Sequence, residues 1–302
     1  MSNFEPSSQK SYVSQKQATN TRRQKSQEGE FLVQFWGVRG LIPTPTSNTR
    51  RYGGNTACVE VQVAGKSLIF DGGTGLRILG KNLLEHQQPL KAHLFFTNSQ
   101  SNRIQGFPFF DPAFLPENCF HIYGTAASNG ASIKQCLYDQ MLQPHFPYPL
   151  QVMQSELQFH NLTPNRTVKL DDVNVTTALI NWTQRSIGYR VAWEEYSVAY
   201  ITDIHECIKK AEREHITRLT QGVDLLIANA TYTLPAGRNY LESDIYWLTA
   251  VELAKTVGAK QLVLTHHHPD DHDDFLDQVQ TEVKFVYPKA LLALEGLILS
   301  VK

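Results

Sequence analysis

Charge imbalance is missing from this sequence. Its 28 Lys and Arg stand against 29 Asp and Glu, a net charge of −1, so no broad basic surface for nucleic acid is encoded and only a local patch remains open to that role. Cysteine is scarce. Cys58, Cys119, Cys136 and Cys207 are scattered without CxxC spacing, which reads as buried or free thiols in a reducing compartment rather than a disulfide framework. No apolar run approaches the ~20 residues that a bilayer span needs. The first residues carry no apolar stretch of the kind a secretory signal requires, and the expected location is cytoplasmic. No phosphate-binding loop or nicotinamide fingerprint occurs either, because Asp71-Gly72-Gly73-Thr74-Gly75 lacks both the Walker lysine and the GxGxxG spacing.

What is present divides unevenly. Residues 1–30 are rich in Ser, Gln, Asn and Lys and nearly free of large apolar side chains. Such a stretch buries too little surface to offset its ordering entropy and is expected to be a disordered tail. Its Lys10, Lys16, Arg22, Arg23 and Lys25 leave open a contact with an acidic partner. The remainder, 31–302, carries the apolar content of a globular core; over the whole chain this is 41% hydrophobic and 19% charged. It shows neither a repeat at fixed period nor an internal linker, and is expected to form one domain.

Short apolar runs bounded by turn residues predict strands at 31–36, 57–63, 67–71, 92–97 and 119–123, then at 157–159, 167–170, 173–178, 186–191 and 197–202. Further strands are expected at 224–228, 261–265, 284–287 and 297–301. Helical spacing appears at Leu76, Leu79, Leu83 and Leu84, and over 132–142 with Ser132 as cap. It recurs over 208–219, over 245–257 where Gly258 ends the run, and over 273–279. Strands and helices alternate in two β-rich halves, which makes the fold class α/β.

The stretch Leu94–Phe110, LFFTNSQSNRIQGFPFF, organises the rest. An apolar strand ends at Thr97, six polar residues follow, and the chain turns apolar again at Ile104. It resembles the strand-to-loop segment of metallo-β-lactamase-fold hydrolases, in the ribonuclease Z-like and phosphodiesterase-like branch. There the strand ends in Thr and continues as His-x-His-x-Asp-His and an Ile-x-Gly-hydrophobic run. Phe35-Trp36-Gly37-Val38-Arg39-Gly40, Arg51-Tyr52-Gly53-Gly54-Asn55-Thr56 and Phe70-Asp71-Gly72-Gly73-Thr74-Gly75-Leu76-Arg77 are similar to that branch's opening motifs. So are the segments around Tyr200–Asp203 and Leu262–Asp274. The resemblance covers nearly all of 31–302 and implies an αββα sandwich, the metallo-β-lactamase fold. It also implies homodimerisation, which no residue here demonstrates.

The chemistry of the resembling motif has changed. Its four ligand positions hold Asn98, Gln100, Asn102 and Arg103. Zinc and similar ions take imidazole, thiolate or carboxylate donors, whereas an amide offers a neutral oxygen and a guanidinium offers no lone pair. The position of the next His, in a turn before a Gly-Tyr strand, is Trp182, whose indole nitrogen only donates; its bulk is expected to help close the pocket. The bridging carboxylate is kept as Asp203 and the last His as His266. Where the branch carries a catalytic His, this chain reads Ser243-Asp244-Ile245. A carboxylate plus one imidazole falls short of the three protein ligands usual in a catalytic zinc site.

Other candidates carry competing readings. Asp71, at a strand end, is expected to hold loop N–H groups. Arg39 and Arg103 could receive an anion, or Arg39 could tie down its own loop. His266-His267-His268-Pro269-Asp270-Asp271-His272-Asp273-Asp274 reads as a loop whose acids cap the next helix, with a metal role for His267, His268 or His272 as the rival. Ser99 and Ser101 show no partner for a Ser-His-Asp triad. Three functions therefore stay open. The first is a non-catalytic descendant of a metal-dependent phosphodiesterase or nuclease, binding a protein or a small anionic ligand and needing no cofactor. The second is a hydrolase rebuilt around a single zinc or manganese at Asp203 and His266, and the third a structural subunit of an assembly. With the ions gone, a buried Asp203 needs a new counter-charge. Arg103 is expected to supply it, with Asn98, Gln100, Asn102 and His266 completing a hydrogen-bond network.

Overall fold

The computed structural model describes residues 29–85, 89–204, 210–232 and 246–302. The expected tail, apart from its last residues, lies outside them, as do Cys207 and Ser243-Asp244-Ile245. In chain order the strands are β1 Phe31–Gly37, β2 Cys58–Val63, β3 Lys66–Phe70, β4 Lys91–Phe95, β5 Cys119–Gly124, β6 Glu156–Asn161, β7 Thr167–Leu170, β8 Val173–Asn181, β9 Ser186–Trp193, β10 Tyr196–Ile201, β11 Leu225–Asn229, β12 Gln261–Thr265, β13 Ala290–Leu292 and β14 Ile298–Ser300. The helices are α1 Gly75–Leu84, α2 Ser101–Ile104, α3 Ile133–Asp139, α4 Lys210–Thr220, α5 Trp247–Val257 and α6 Asp273–Val286.

Two mixed sheets result, ordered β14-β1-β2-β3-β4-β5-β6 and β13-β12-β11-β10-β9-β8-β7. Each strand sends alternate side chains to opposite faces, and that alternation builds the layers. Phe31, Val33 and Phe35 of β1 point between the sheets, where Val61, Phe70, Phe95, Val175, Tyr189, Val198 and Ile227 meet them. The opposite face of the first sheet, with Leu94 and Ile122, packs on Leu76 and Leu79 of α1. The outer face of the second, with Ala228 and Leu264, packs on α4, α5 and α6 through Ile216, Val251 and Leu276. The architecture is the expected αββα sandwich.

Most elements fall where periodicity puts them. Gly258 ends α5 in the left-handed region at φ 66°, and the Ser132 hydroxyl accepts the Gln135 N–H as the cap of α3. That helix stops at Asp139, short of the expected residue 142, and continues as i→i+3 turns through Leu142. The strand expected over 284–287 is a correction: those residues form the end and C-cap of α6. Val279 and Val283 continue the buried helical stripe, while Phe285, which lent the segment its strand-like composition, is 90% exposed. The partner that β12 needs is β13, Ala290–Leu292, a run too short to stand out by composition. Cys58 is buried and free, and Cys119 and Cys136 are free and half-buried. Among the described residues no helix is long and apolar enough to cross a membrane.

Candidate functional site

The site forms where β3, β4, β10 and β12 end. Strands β3 and β4 run parallel, as do β10, β11 and β12, so their carboxyl ends open on one side, the usual place for a crevice in such sheets. Asp71, Asp203 and His266 follow β3, β10 and β12, and all have left-handed backbones, with φ of 59°, 66° and 65°. Non-glycine residues avoid this region, and their concentration at one place marks loops shaped to aim side chains. Glycine allows the loops to touch. The Gly72 N–H donates to the Arg103 carbonyl and the Gly106 N–H to the Gly72 carbonyl. A Cβ on Gly106 would stand 1.9 Å from the Gly73 oxygen.

Arg103 lies at the centre, almost wholly buried, on the short helix α2. Its Nη2 donates to Asp203 Oδ1 at 2.7 Å. Its Nη1 is 2.6 Å from His266 Nε2 and 3.1 Å from His266 Nδ1, and 3.4 Å from Asp71 Oδ2. The expected Arg103–Asp203 pair is thus present, with His266 in it, and Asp71 joins as a second carboxylate. Asp71 also accepts from the Thr97 N–H at 2.8 Å, the Thr97 hydroxyl at 2.9 Å and the Tyr200 hydroxyl at 2.9 Å.

The remaining substituted positions part company. Asn98 Nδ2 donates to Asp203 Oδ2 at 2.7 Å and to Ser186 Oγ at 3.0 Å. Its Oδ1 accepts the Gln100 N–H at 2.8 Å, an Asx turn that launches α2. The side chains of Gln100 and Asn102 make no hydrogen bond among the described residues, which corrects the expectation that they complete the network. Gln100 is exposed at the N-cap of α2, so its amide meets water, whereas Asn102 is buried beside the glycine loop, its carbonyl against Gly73. Trp182 is a second correction: in the β8–β9 turn its indole is 47% exposed and does not plug an enclosed site. The turn itself is tied in, with Asn181 Nδ2 donating to the Asp203 carbonyl at 3.2 Å and the Trp182 N–H to Glu212 Oε1 at 2.8 Å.

Arg39 is fully buried and binds loop carbonyls, Nε to Gly53 at 2.7 Å and Nη1 to His268 at 3.0 Å and Asp271 at 2.6 Å. In the run His266–Asp274 only His266 reaches the centre. His267 is buried between the Tyr232 hydroxyl at 2.8 Å and the Ala293 carbonyl at 2.6 Å. His272 caps α6, its Nδ1 accepting the Phe275 N–H at 3.2 Å. Sequence reasoning missed Tyr200, Thr97, Asn181 and Ser186. Tyr200 is the one with a readable signal, an inward residue of β10 three positions before Asp203.

Burial pushes the Asp71 carboxyl up to about 6, against the opposing pull of Arg103 and the Thr97 N–H. Burial works against the Arg103 charge too, but Asp203 and Asp71 outweigh it and hold its pKa above the ordinary value. Burial and then Arg103 drive His266 well below the usual histidine range, so the imidazole is neutral and accepts from the guanidinium. The donor set does not fit a dinuclear metal centre. Both kept ligand-type residues face the same guanidinium, and among the described residues no group of three or more His, Cys, Asp or Glu is arranged to hold an ion.

Comparison with known proteins agrees with this architecture. Residues 68–267 match the Beta-lactamase superfamily domain. A ribonuclease Z from Anoxybacillus flavithermus is 34% identical over 99 residues, a match covering 32% of this chain and 29% of that protein's length. The metallo-beta-lactamase fold protein YhfI from Bacillus subtilis superposes with a TM-score of 0.66 at 18% identity, over 90% of this chain and 99% of that one. A diphosphatase from the PhnP family gives 0.66 at 17% identity, over 90% and 98%.

Proposed function

This chain belongs to the beta-lactamase superfamily, and from that premise we propose that it is a non-catalytic descendant of the superfamily's metal-dependent phosphodiesterases and nucleases, retained for binding. The likeness to a ribonuclease Z and to a diphosphatase supplies the ancestry. The observation that carries the loss is the Arg103 guanidinium standing between Asp203 Oδ1 and His266 Nε2 at 2.7 and 2.6 Å. In metal hydrolases the ion lowers the pKa of bound water and polarises the scissile group. Here the retained carboxylate and imidazole are engaged by a guanidinium, which has no coordination site with which to bind and ionise a water.

The centre also disfavours an anionic ligand, since Asp71 and Asp203 outnumber Arg103 and like charge repels an incoming phosphate. Arg39, its Nε and Nη1 committed to three carbonyls, does not redress that balance. We favour a protein partner, met at the rim where Gln100 and Trp182 are exposed. The test is hydrolysis of bis-p-nitrophenyl phosphate by the full chain in excess zinc and in excess manganese. No rate above that of His266→Ala is expected. A zinc- or manganese-dependent rate well above that control would overturn the reading in favour of a rebuilt single-ion hydrolase.

A further inference from the structure

Two carboxylates, Asp71 and Asp203, point toward one buried place, and without a cation between them they would repel. The Arg103 guanidinium is that cation. It is fixed at both ends: its head group meets Asp203, His266 and Asp71, and its carbonyl is clamped by the Gly72 N–H. We propose that Arg103 is a resident cation, a guanidinium-shaped node that holds the strand-end loops together in place of a bound metal ion. The inference deepens the reading above and rests on it.

Shape carries the argument. A guanidinium is a planar fork whose two terminal nitrogens address different acceptors, whereas a zinc ion needs its donors to converge on one point. Here Nη2 takes Asp203 while Nη1 takes His266 and lies beside Asp71. The acceptors are spread around a fork. Lysine, a single ammonium on a flexible stem, would reproduce the charge without the spread.

The experiment uses the full chain and its Arg103→Ala and Arg103→Lys variants, melted with and without methylguanidinium at non-denaturing concentration and with and without zinc chloride. Zinc content is measured after exposure and desalting. Wild type should retain well under one equivalent of zinc and show no shift. Arg103→Ala should melt roughly 5–9 °C lower for a chain of this size, with methylguanidinium, not zinc, recovering at least half of that loss. Stoichiometric zinc in wild type, an Arg103→Ala midpoint equal to wild type, or rescue by zinc alone would overturn the proposal. Should Arg103→Ala fail to fold, Arg103→Lys decides: a midpoint below wild type supports the fork, and an equal one overturns it. Phosphodiesterase activity alongside the expected melting pattern would sink the functional reading and leave the node standing.

Discussion

Replacing His93 by Phe should flatten the acid limb of this protein's stability curve. His93 lies on β4 with its ring stacked on His121 at a centroid distance of 4.8 Å and its Nδ1 3.3 Å from the Tyr123 hydroxyl. His121 in turn meets His160, Nδ1 to Nε2, at 3.2 Å. Burial first, then His121, Lys91, Lys66 and His160, push His93 down from 6.5 to about 4. The folded protein therefore binds fewer protons than the unfolded chain between those values. This contribution to stability is present above pH ~6.5 and is lost as pH falls toward ~4. At 1.36 kcal/mol per pH unit the gap caps the effect of this buried ring at ~3.4 kcal/mol. Phenylalanine keeps the stack and removes the proton. Urea unfolding across the range from pH ~7.5 to ~4.5 should place the two proteins within ~1 kcal/mol at the upper end, the worth of one lost hydrogen bond. Below pH ~6 the variant's slope should be shallower by up to ~1.4 kcal/mol per pH unit. Other shifted groups shared by both proteins shape the background, among them His121 and His266, both pushed down first by burial. His267, driven to about 3 by burial, loses stability in the same direction as pH falls. Asp71, raised to about 6, loses stability as pH rises toward that value. Equal slopes in wild type and His93→Phe would refute the reasoning.

Gly106→Ala should destabilise by several kcal/mol, because its Cβ would stand 1.9 Å from the Gly73 carbonyl oxygen and backbone cannot step aside cheaply; chemical denaturation reads this directly. Deleting residues 1–30 should leave the melting midpoint within a few degrees of the full chain, since that stretch has little apolar surface for a hydrophobic term of ~25 cal/mol per Å² to act on. A larger fall would show that the segment packs.

The α/β class was legible in the order and spacing of short apolar runs, whereas the sandwich came from the resemblance carried by motifs such as 35–40, 51–56 and 70–77. The structure shows the layers those runs build, with Phe31, Val33 and Phe35 between the sheets and Trp36 on the opposite face. Asp203 and His266 were legible only through the resemblance, as the kept positions of its ligand set; the structure adds the physical reason they meet, since strand ends in parallel sheets face a common crevice. What could not be read was how neighbours divide the work. Asn98 and Asn102 are the same residue type four apart, yet only the first meets Asp203, because the turn ahead of α2 decides which amide faces inward. Trp182 misled for the reason that Phe285 did. Apolar bulk in a short segment predicts burial, but a hairpin tip or a helix's outer stripe can leave it in water. The inward placement of Tyr200 could be read from its strand, but not its partner: Asp71 follows a strand of the opposite sheet, and no local pattern encodes which carboxylate a hydroxyl 129 positions away will find.

The left-handed backbones at Asp71, Asp203 and His266 bear on how such a centre changes over descent. Each costs a non-glycine residue roughly 1 kcal/mol or more, and here that cost is offset by bonds of the protein itself. The Asp71 N–H donates to the Phe95 carbonyl, the Asp203 carbonyl accepts from Asn181 Nδ2, and beside His266 the Gly40 N–H donates to the His267 carbonyl and the His267 N–H to the Val38 carbonyl. None of those bonds asks for an ion. A lineage could thus exchange ligands one side chain at a time while the sockets kept their shape, and the same route runs backwards. Positions 98 and 103, whose side chains already reach Asp203 and His266, are where that reverse exchange would begin.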